Sequence, residues 1–114
     1  MIKVLVLLDT QREYDILTGK CYNDETVRNN ARFAQAGWRT MSLRKPDESM
    51  EIKINVADRT NILGLRPDCV ITNCPKAIAY FSPICGVITR EFVSEIFDEI
   101  RILLGGTTDA KEEN

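Results

Sequence analysis

The stretch of residues 68–90, DCVITNCPKAIAYFSPICGVITR, constrains the fold of this 114-residue chain more than any other. A short apolar run lies near each of its ends, and both runs are rich in the β-branched residues typical of buried strands. Pro75 stands where a helix would begin, and Pro83 stands where that helix would end. The stretch therefore predicts a strand at 69–72, a short helix and a second strand at 84–88, connected in the parallel, right-handed manner.

The first part of the chain predicts a central strand and a helix. The near-continuous apolar run at residues 2–8 is typical of a strand in the middle of a sheet. Residues 10–23 allow two interpretations, a short helical turn or an ordered loop over the edge of the sheet. Asn23 or Asp24 then begins a helix, because short polar side chains cap helix N-termini, and Gly37 ends it.

The middle and the end of the chain predict a hairpin and two more helices. Apolar and polar residues alternate at 38–44, which begins with Trp38, and again at 50–56, with a Pro-Asp turn between the two runs. Asp58 caps a predicted helix over residues 59–65. The last helix, capped by Thr89, has apolar side chains at spacings of three and one along a single face.

These elements predict a three-layer α/β fold. Its mixed, five-stranded sheet has the strand order 3-2-1-4-5, with an antiparallel hairpin as one half and a parallel strand–helix–strand unit as the other. Residues 1–106 form one domain, and residues 107–114 form a polar C-terminal tail.

Charge and hydropathy exclude several classes of protein. The formal net charge is −2, and acidic and basic residues are interspersed, so no nucleic-acid partner is expected. No apolar run reaches the roughly 18–20 residues that a membrane span requires. The opening apolar run is too short for a secretory signal, which indicates a cytoplasmic protein.

The candidate site follows from the predicted sheet. Ligands of such sheets collect at the carboxyl ends of the parallel strands. In this chain the residues at that edge are Asp9, Thr72, Asn73, Cys74 and Thr89. We expect these five residues to form a ligand-binding site. A small anion is one candidate ligand, because helix N-termini also lie at this edge.

Cys74 is the candidate with the most distinctive chemistry. A thiol at a helix N-terminus, with Lys76 nearby, favours the thiolate and could act as a soft metal ligand or as a nucleophile. The alternative is a thiol that fills a packed corner. The chain has four cysteines without a CxxC pair and has no histidine, which argues against an ordinary zinc site and excludes a Cys–His hydrolase.

Asp9 suggests a second chemistry. Nucleases that use two Mg²⁺ ions need several carboxylates, and Glu91, Glu95 or Asp98 of the last helix are the residues that could join Asp9. The alternative is that Asp9 is a solvated acid beside a loop. In that case the acidic residues of the last helix simply form its solvent-exposed face.

The chain also resembles a known family. The segments LRPDCVITNCPKAIAYF and CGVITREFVSEIFDEI, within residues 38–106, are similar in pattern to the small dinitrogenase iron-molybdenum cofactor biosynthesis proteins, which have a ribonuclease H-like fold. The resemblance implies a carrier or accessory domain that binds a metal cluster or its precursor, with Cys74 as the candidate ligand.

The leading hypothesis is a non-enzymatic binding or accessory module with a ligand or metal-cluster site at the strand carboxyl ends. Its partner is a small ligand or another protein. The first alternative is an enzyme, either a carboxylate- and Mg²⁺-dependent nuclease or a cysteine-dependent transferase. The second is a structural subunit that forms a homo-oligomer through the hairpin.

Overall fold

The computed structural model describes residues 1–35, 40–59, 62 and 64–105, which form one mixed sheet with helices on both faces. The strands are β1 (Ile2–Leu8), β2 (Arg32–Gln35), β3 (Met41–Arg44), β4 (Met50–Val56), β5 (Cys69–Thr72) and β6 (Gly86–Thr89). The helices are α1 (Gln11–Asn23), α2 (Glu25–Asn30), α3 (Pro75–Phe81) and α4 (Val93–Leu103), and a 3-10 turn covers Ala57–Arg59. The mixed α/β class predicted from the sequence is confirmed.

Strand β1 lies at the centre of the sheet, as its apolar run predicts. The strand order is β2-β3-β4-β1-β5-β6, and β1 runs parallel to both of its neighbours. Residues 4–8 are all buried, because alternate side chains enter two separate cores. Val4, Val6 and Leu8 point to what we call the first face, which is packed against α1, α2 and α4. Leu5 and Leu7 point to the second face, which α3 covers.

The predicted order 3-2-1-4-5 of five strands is wrong in two respects. A sixth strand, β2, lies at the edge of the sheet beyond β3. The hairpin is also reversed, because its second strand, β4, lies beside β1 in place of its first. β4 pairs with β1 over seven residues and buries Ile52 and Ile54 on the first face, whereas β3 has only four residues. Length and burial together decide which hairpin strand joins the centre.

The helix that Asp24 begins is shorter than predicted, which explains the additional strand. The Asp24 carboxylate accepts the Val27 N–H at 3.0 Å, as expected for an N-cap. The helix ends at Asn30, whose side-chain amide donates to a carbonyl of the preceding turn. The chain is then extended, and Phe33 stacks on Tyr22 with 4.9 Å between the ring centroids. The predicted end at Gly37 lies outside the described residues, as do Trp38 and the tail 107–114.

Residues 10–23, which allow two interpretations from the sequence, form helix α1. Thr10 and Glu13 make a capping box, in which each side chain accepts the other residue's backbone N–H at 3.2 Å. One side of the helix packs on the first face through Tyr14, Leu17 and Cys21. The helical interpretation is confirmed, and the helix is longer than the single turn expected.

The helix predicted over residues 59–65 does not form in the described part of that segment. The 3-10 turn at Ala57–Arg59 is followed by irregular chain at Ile62 and Leu65, which pack against the second-face core. Gly64 has a φ of 95°, a left-handed conformation that interrupts an α-helix. Residues 60, 61 and 63 lie outside the described part.

The last helix, α4, has the predicted amphipathic pattern but begins later than predicted. Its fully buried positions are Ile96, Ile100 and the C-cap Leu104. The N-cap is Phe92 and not Thr89, which is the last residue of β6. Glu95 explains the shift, because its carboxylate accepts the backbone N–H groups of Glu91 and Phe92 at 3.2 and 3.1 Å. Among the helices of the described residues, none combines the length and apolarity that crossing a bilayer requires.

The second face is polar where it lies over β3 and β4. Glu51 is buried there, and its carboxylate accepts hydrogen bonds from Ser42 at 3.0 Å and from Arg44 at 2.9 Å. The hydrogen bond from Arg44 lowers the pKa of the Glu51 carboxyl below its ordinary value of 4.5; burial opposes this effect, and Ser42 adds to it. Glu51 therefore stays ionised at neutral pH.

This lowered pKa predicts a loss of stability in acid. The unfolded chain takes up a proton at Glu51 near pH 4.5, whereas the folded chain resists protonation, so the free energy of unfolding should fall as the pH drops below about 4.5. Urea unfolding between about pH 6 and about pH 3 measures this slope. The slope should be smaller in Glu51→Gln and unchanged in Glu48→Gln, an exposed turn residue. Equal slopes for Glu51→Gln and the unmodified protein would contradict the prediction.

Candidate functional site

The carboxyl ends of β4, β1, β5 and β6 meet at one edge of the sheet, because these four strands are parallel. Leu7 of β1 lies opposite Thr72 of β5, and Thr72 lies opposite Thr89 of β6. Asp9 and Asn73 therefore come next to each other just beyond the strands. The five predicted site residues, which include Cys74 after Asn73, belong to this edge in the fold.

Asn73 joins the turn after β1 to the turn after β5. Its amide oxygen accepts the backbone N–H of Asp9 at 3.0 Å, and its amide nitrogen donates to Glu13 Oε2 at 2.8 Å. The other carboxylate oxygen of Glu13 accepts hydrogen bonds from the backbone N–H and the hydroxyl of Thr10. We call this set of hydrogen bonds the Asn73 bridge. It holds both turns in one position, and it occupies both ends of the Asn73 side chain.

Glu13 is a site residue that the sequence-based prediction missed. A signal for it exists in the sequence, because Thr10 followed three residues later by Glu13 has the spacing of a capping box. The capping box predicts where α1 begins and does not predict the hydrogen bond to Asn73, which lies 60 positions further along the chain.

Thr72 supports this edge from inside the fold. Its side chain is fully buried, and its hydroxyl donates to the Leu7 carbonyl oxygen at 2.7 Å and accepts the Cys74 N–H at 3.0 Å. Both hydrogen-bonding roles of the hydroxyl are therefore occupied. Thr72 positions the turn and does not face a ligand.

Cys74 is the N-cap of α3, and its side chain makes no capping hydrogen bond. The side chain is 6% exposed and packs in the second-face core with Leu5, Ala77 and Phe81. In the described part of the chain, no three His, Cys, Asp or Glu residues are grouped closely enough to hold a metal ion. The arrangement matches the thiol that fills a packed corner, which is the alternative given above.

The other three thiols have raised pKa values, mainly because each is wholly or partly buried. Burial is the main cause that raises the pKa of Cys21 to about 12, and the nearby Asp24 carboxylate adds to it. Burial likewise raises the pKa of Cys69 and of Cys85. Cys85 and then Asp68 add to the effect on Cys69, and Asp68 adds to the effect on Cys85. These thiols are therefore protonated at neutral pH, and a protonated thiol is a poor nucleophile.

Asp9 and Thr89 are the predicted site residues whose side chains face solvent. Both residues are exposed, and neither the Asp9 carboxylate nor the Thr89 hydroxyl bonds to any described residue. Two acidic residues of α4 are engaged elsewhere: Glu95 caps its own helix, and Glu99 forms an ion pair with Arg90 at 3.0 Å. Asp98 of the same helix is exposed. Of the five predicted site residues, Asp9 and Thr89 thus present one carboxylate and one hydroxyl to solvent, above a base held by the Asn73 bridge.

Comparison with protein-family models, with curated proteins and with solved structures found no match to this chain.

Proposed function

We propose that the protein is a small non-enzymatic binding module whose ligand site lies at the carboxyl edge of the sheet. Asp9 and Thr89 contact the ligand, while Thr72, Asn73 and Cys74 shape and support the base of the site. The Asn73 bridge is the observation that carries the proposal, because a single side chain hydrogen-bonds to both turns at the edge and holds them together. A site held in advance loses less conformational entropy when it binds.

The exposed groups indicate the class of ligand. Asp9 accepts hydrogen bonds and carries a negative charge, and the Thr89 hydroxyl also accepts. The N-terminus of α1 is already capped by Thr10 and Glu13, so fewer of its backbone N–H groups are free to bind an anion. β5 separates β1 from β6, so the strands that precede Asp9 and carry Thr89 are about 10 Å apart. These features favour a small molecule that bears ammonium or hydroxyl groups.

Two further parts of the hypothesis rest on the thiols. The four cysteines are free, which fits a reducing compartment and supports a cytoplasmic location. The metal cluster implied by the resemblance to dinitrogenase cofactor proteins requires the Cys74 sulfur to leave the second-face core. Metal analysis after purification without oxygen tests that requirement, and a bound cluster that is lost in Cys74→Ala would favour the family's function over the site proposed here.

The ligand class is tested by titrating ¹⁵N-labelled protein with 1,4-diaminobutane and with ribose. We expect saturable shifts of the amide signals of residues 9, 10, 73 and 89 with at least one of the two compounds. The shifts should disappear in Asp9→Asn and persist in Asp98→Asn, which removes an exposed carboxylate from α4. The site would be refuted if neither compound shifts these signals in the unmodified protein. It would also be refuted if the shifts persist in Asp9→Asn.

The nuclease alternative has its own test. The protein is incubated with Mg²⁺ and either single- or double-stranded nucleic acid. Cleavage that is lost in Asp9→Asn would replace the binding module by an enzyme. Light scattering of the same sample distinguishes a monomer from the homo-oligomer that the hairpin alternative predicts.

A further inference from the structure

A cleft of about 190 Å³ opens on the second face, on the part of the sheet that α3 does not cover. Its floor is formed by the amino-terminal half of β1 and by β4, and one wall is the irregular segment before β5. The lining residues are Lys3, Val4, Leu5, Glu51, Lys53, Leu65, Arg66 and Pro67. This cleft lies at the amino ends of β1 and β4, whereas the site proposed above lies beyond the carboxyl ends of the strands.

Strand register places the charged side chains of the floor side by side. Lys3 lies opposite Glu51, and Leu5 lies opposite Lys53, in the parallel pairing of β1 with β4. Because alternate residues of a strand point to the same face, these four side chains all project on the second face, where Leu5 packs. Two lysines on neighbouring strands are thereby held on either side of one buried carboxylate.

The wall of the cleft is fixed to β1 by Asp68. The Lys3 N–H donates to Asp68 Oδ2 at 2.7 Å, and the Asp68 N–H donates to the Lys3 carbonyl oxygen at 2.8 Å. This pair of hydrogen bonds holds the preceding residues, Arg66 and Pro67, beside the amino end of β1. The Arg66 guanidinium is thus kept at the rim, where it also donates to the Leu65 carbonyl oxygen.

The charges in and around the cleft do not balance. Glu51 is already neutralised by Arg44, whose guanidinium is 2.9 Å away. Lys3, Lys53 and Arg66 form no ion pair with the described residues. Three positive charges therefore face the single negative charge of Asp68 in a protein whose net charge is −2. A concave surface whose charges sum to a net positive value concentrates anionic ligands.

We propose that this cleft binds a small anion through Lys3, Lys53 and Arg66. Its volume accommodates roughly six water molecules at about 30 Å³ each, which suits a phosphate group or a short dicarboxylate. Leu5, Leu65 and Pro67 exclude water on the sides where the lysines do not reach, and this strengthens the attraction between unlike charges. The two lysines approach the ligand from neighbouring strands, Lys3 from β1 and Lys53 from β4.

A small anion fits the cleft better than a nucleic-acid strand does. Proteins that bind single strands combine cations with aromatic side chains on which bases stack. The residues that line the cleft include no aromatic side chain. The face beside it, over β3 and β4, carries polar or charged residues in the described part of the chain, among them Ser42 and Arg44.

The test is a titration of the ¹⁵N-labelled protein with sodium phosphate and with sodium succinate, each compared with sodium chloride at equal ionic strength. We expect saturable amide shifts at residues 3–5, 51–53 and 65–66 with phosphate, succinate or both. Lys53→Gln and Arg66→Gln should each weaken binding by about fivefold or more, because each removes one charge contact. Lys20→Gln, which removes an exposed lysine from α1 on the first face, should leave the affinity within about twofold.

The responses to the two anions distinguish a phosphorylated ligand from a carboxylate ligand. Shifts with phosphate alone indicate a phosphorylated ligand, shifts with succinate alone indicate a carboxylate, and shifts with both indicate any small dianion; each result supports the cleft. The proposal is overturned if chloride produces the same shifts, if Lys53→Gln and Arg66→Gln bind as the unmodified protein does, or if only an oligonucleotide produces shifts. All three variants replace exposed side chains, so the fold is retained. The result of this titration does not depend on whether Asp9 and Thr89 bind a ligand, so the cleft and the site proposed above are tested separately.

Discussion

Phe81→Ala is expected to lower the free energy of unfolding by about 3–5 kcal/mol, more than any other substitution considered for this protein. Phe81 lies in the last turn of α3, is fully buried and is one of the six buried residues of the second-face core. Because α3 has only seven residues, its own hydrogen bonds cannot hold it in place, and the ring supplies much of its attachment. The deletion leaves a cavity beneath α3 that its neighbours cannot fill.

Urea unfolding followed by circular dichroism measures this effect, and two variants separate its causes. Phe81→Leu keeps most of the buried volume and should cost less than about 1.5 kcal/mol. Phe92→Ala makes the same substitution at a side chain that is 58% exposed, so the free energy of unfolding should stay within about 0.5 kcal/mol of the unmodified protein. A loss from Phe81→Ala as small as the loss from Phe92→Ala would show that α3 is held in another way.

Thr72→Val is expected to cost about 1–3 kcal/mol, although the two side chains have nearly the same shape. The substitution removes the hydroxyl that accepts the Cys74 N–H and donates to the Leu7 carbonyl oxygen. The Cys74 N–H is then buried without a partner, and an unsatisfied buried donor costs more than the hydrogen bond itself contributes. The loss should be local, so hydrogen exchange at the Cys74 amide should accelerate in this variant.

A matched control for Thr72→Val lies on the neighbouring strand. Thr89 stands directly opposite Thr72 but is exposed, and Thr89→Val should change the free energy of unfolding by less than about 0.5 kcal/mol. Thr72→Ser, which keeps the hydroxyl, should retain slow exchange at the Cys74 amide. If Thr72→Val and Thr89→Val unfold at the same urea concentration, the buried hydroxyl has no special role.

Local patterns predicted the elements whose signals are local. The apolar run of β1, the proline at the first position of α3 and the amphipathic stripe of α4 each correspond to an element in the structure. α1 was ambiguous because much of its surface is polar and only one side is buried. The strand β2 was missed because Ala34 and Phe33 continue the helical spacing of α2, whereas the aromatic contact with Tyr22 decides in favour of a strand.

Features that depend on contacts between residues distant in sequence could not be predicted from local patterns. Either strand of the hairpin could have joined β1, and the selection of β4 depends on matching lengths and on burial against α1 and α4. For the site, the sequence predicts that Cys74 lies at the N-terminus of α3, but the direction of its side chain depends on how α3 is rotated on the sheet. The hydrogen bond between Asn73 and Glu13 could not be predicted either, because it joins two turns that are distant in sequence.

The position of β1 has a consequence for how the protein is made. β1 leaves the ribosome before both of its partners, and the hydrogen bond from Thr72 to Leu7 joins residues 65 positions apart. Its strongly apolar side chains therefore remain unpacked until β4 and β5 have been synthesised, because parallel strands cannot pair through a local hairpin. During that interval the nascent chain exposes a segment suited to chaperone binding and to aggregation. Slower translation of the region between β1 and β5 should lengthen this vulnerable period.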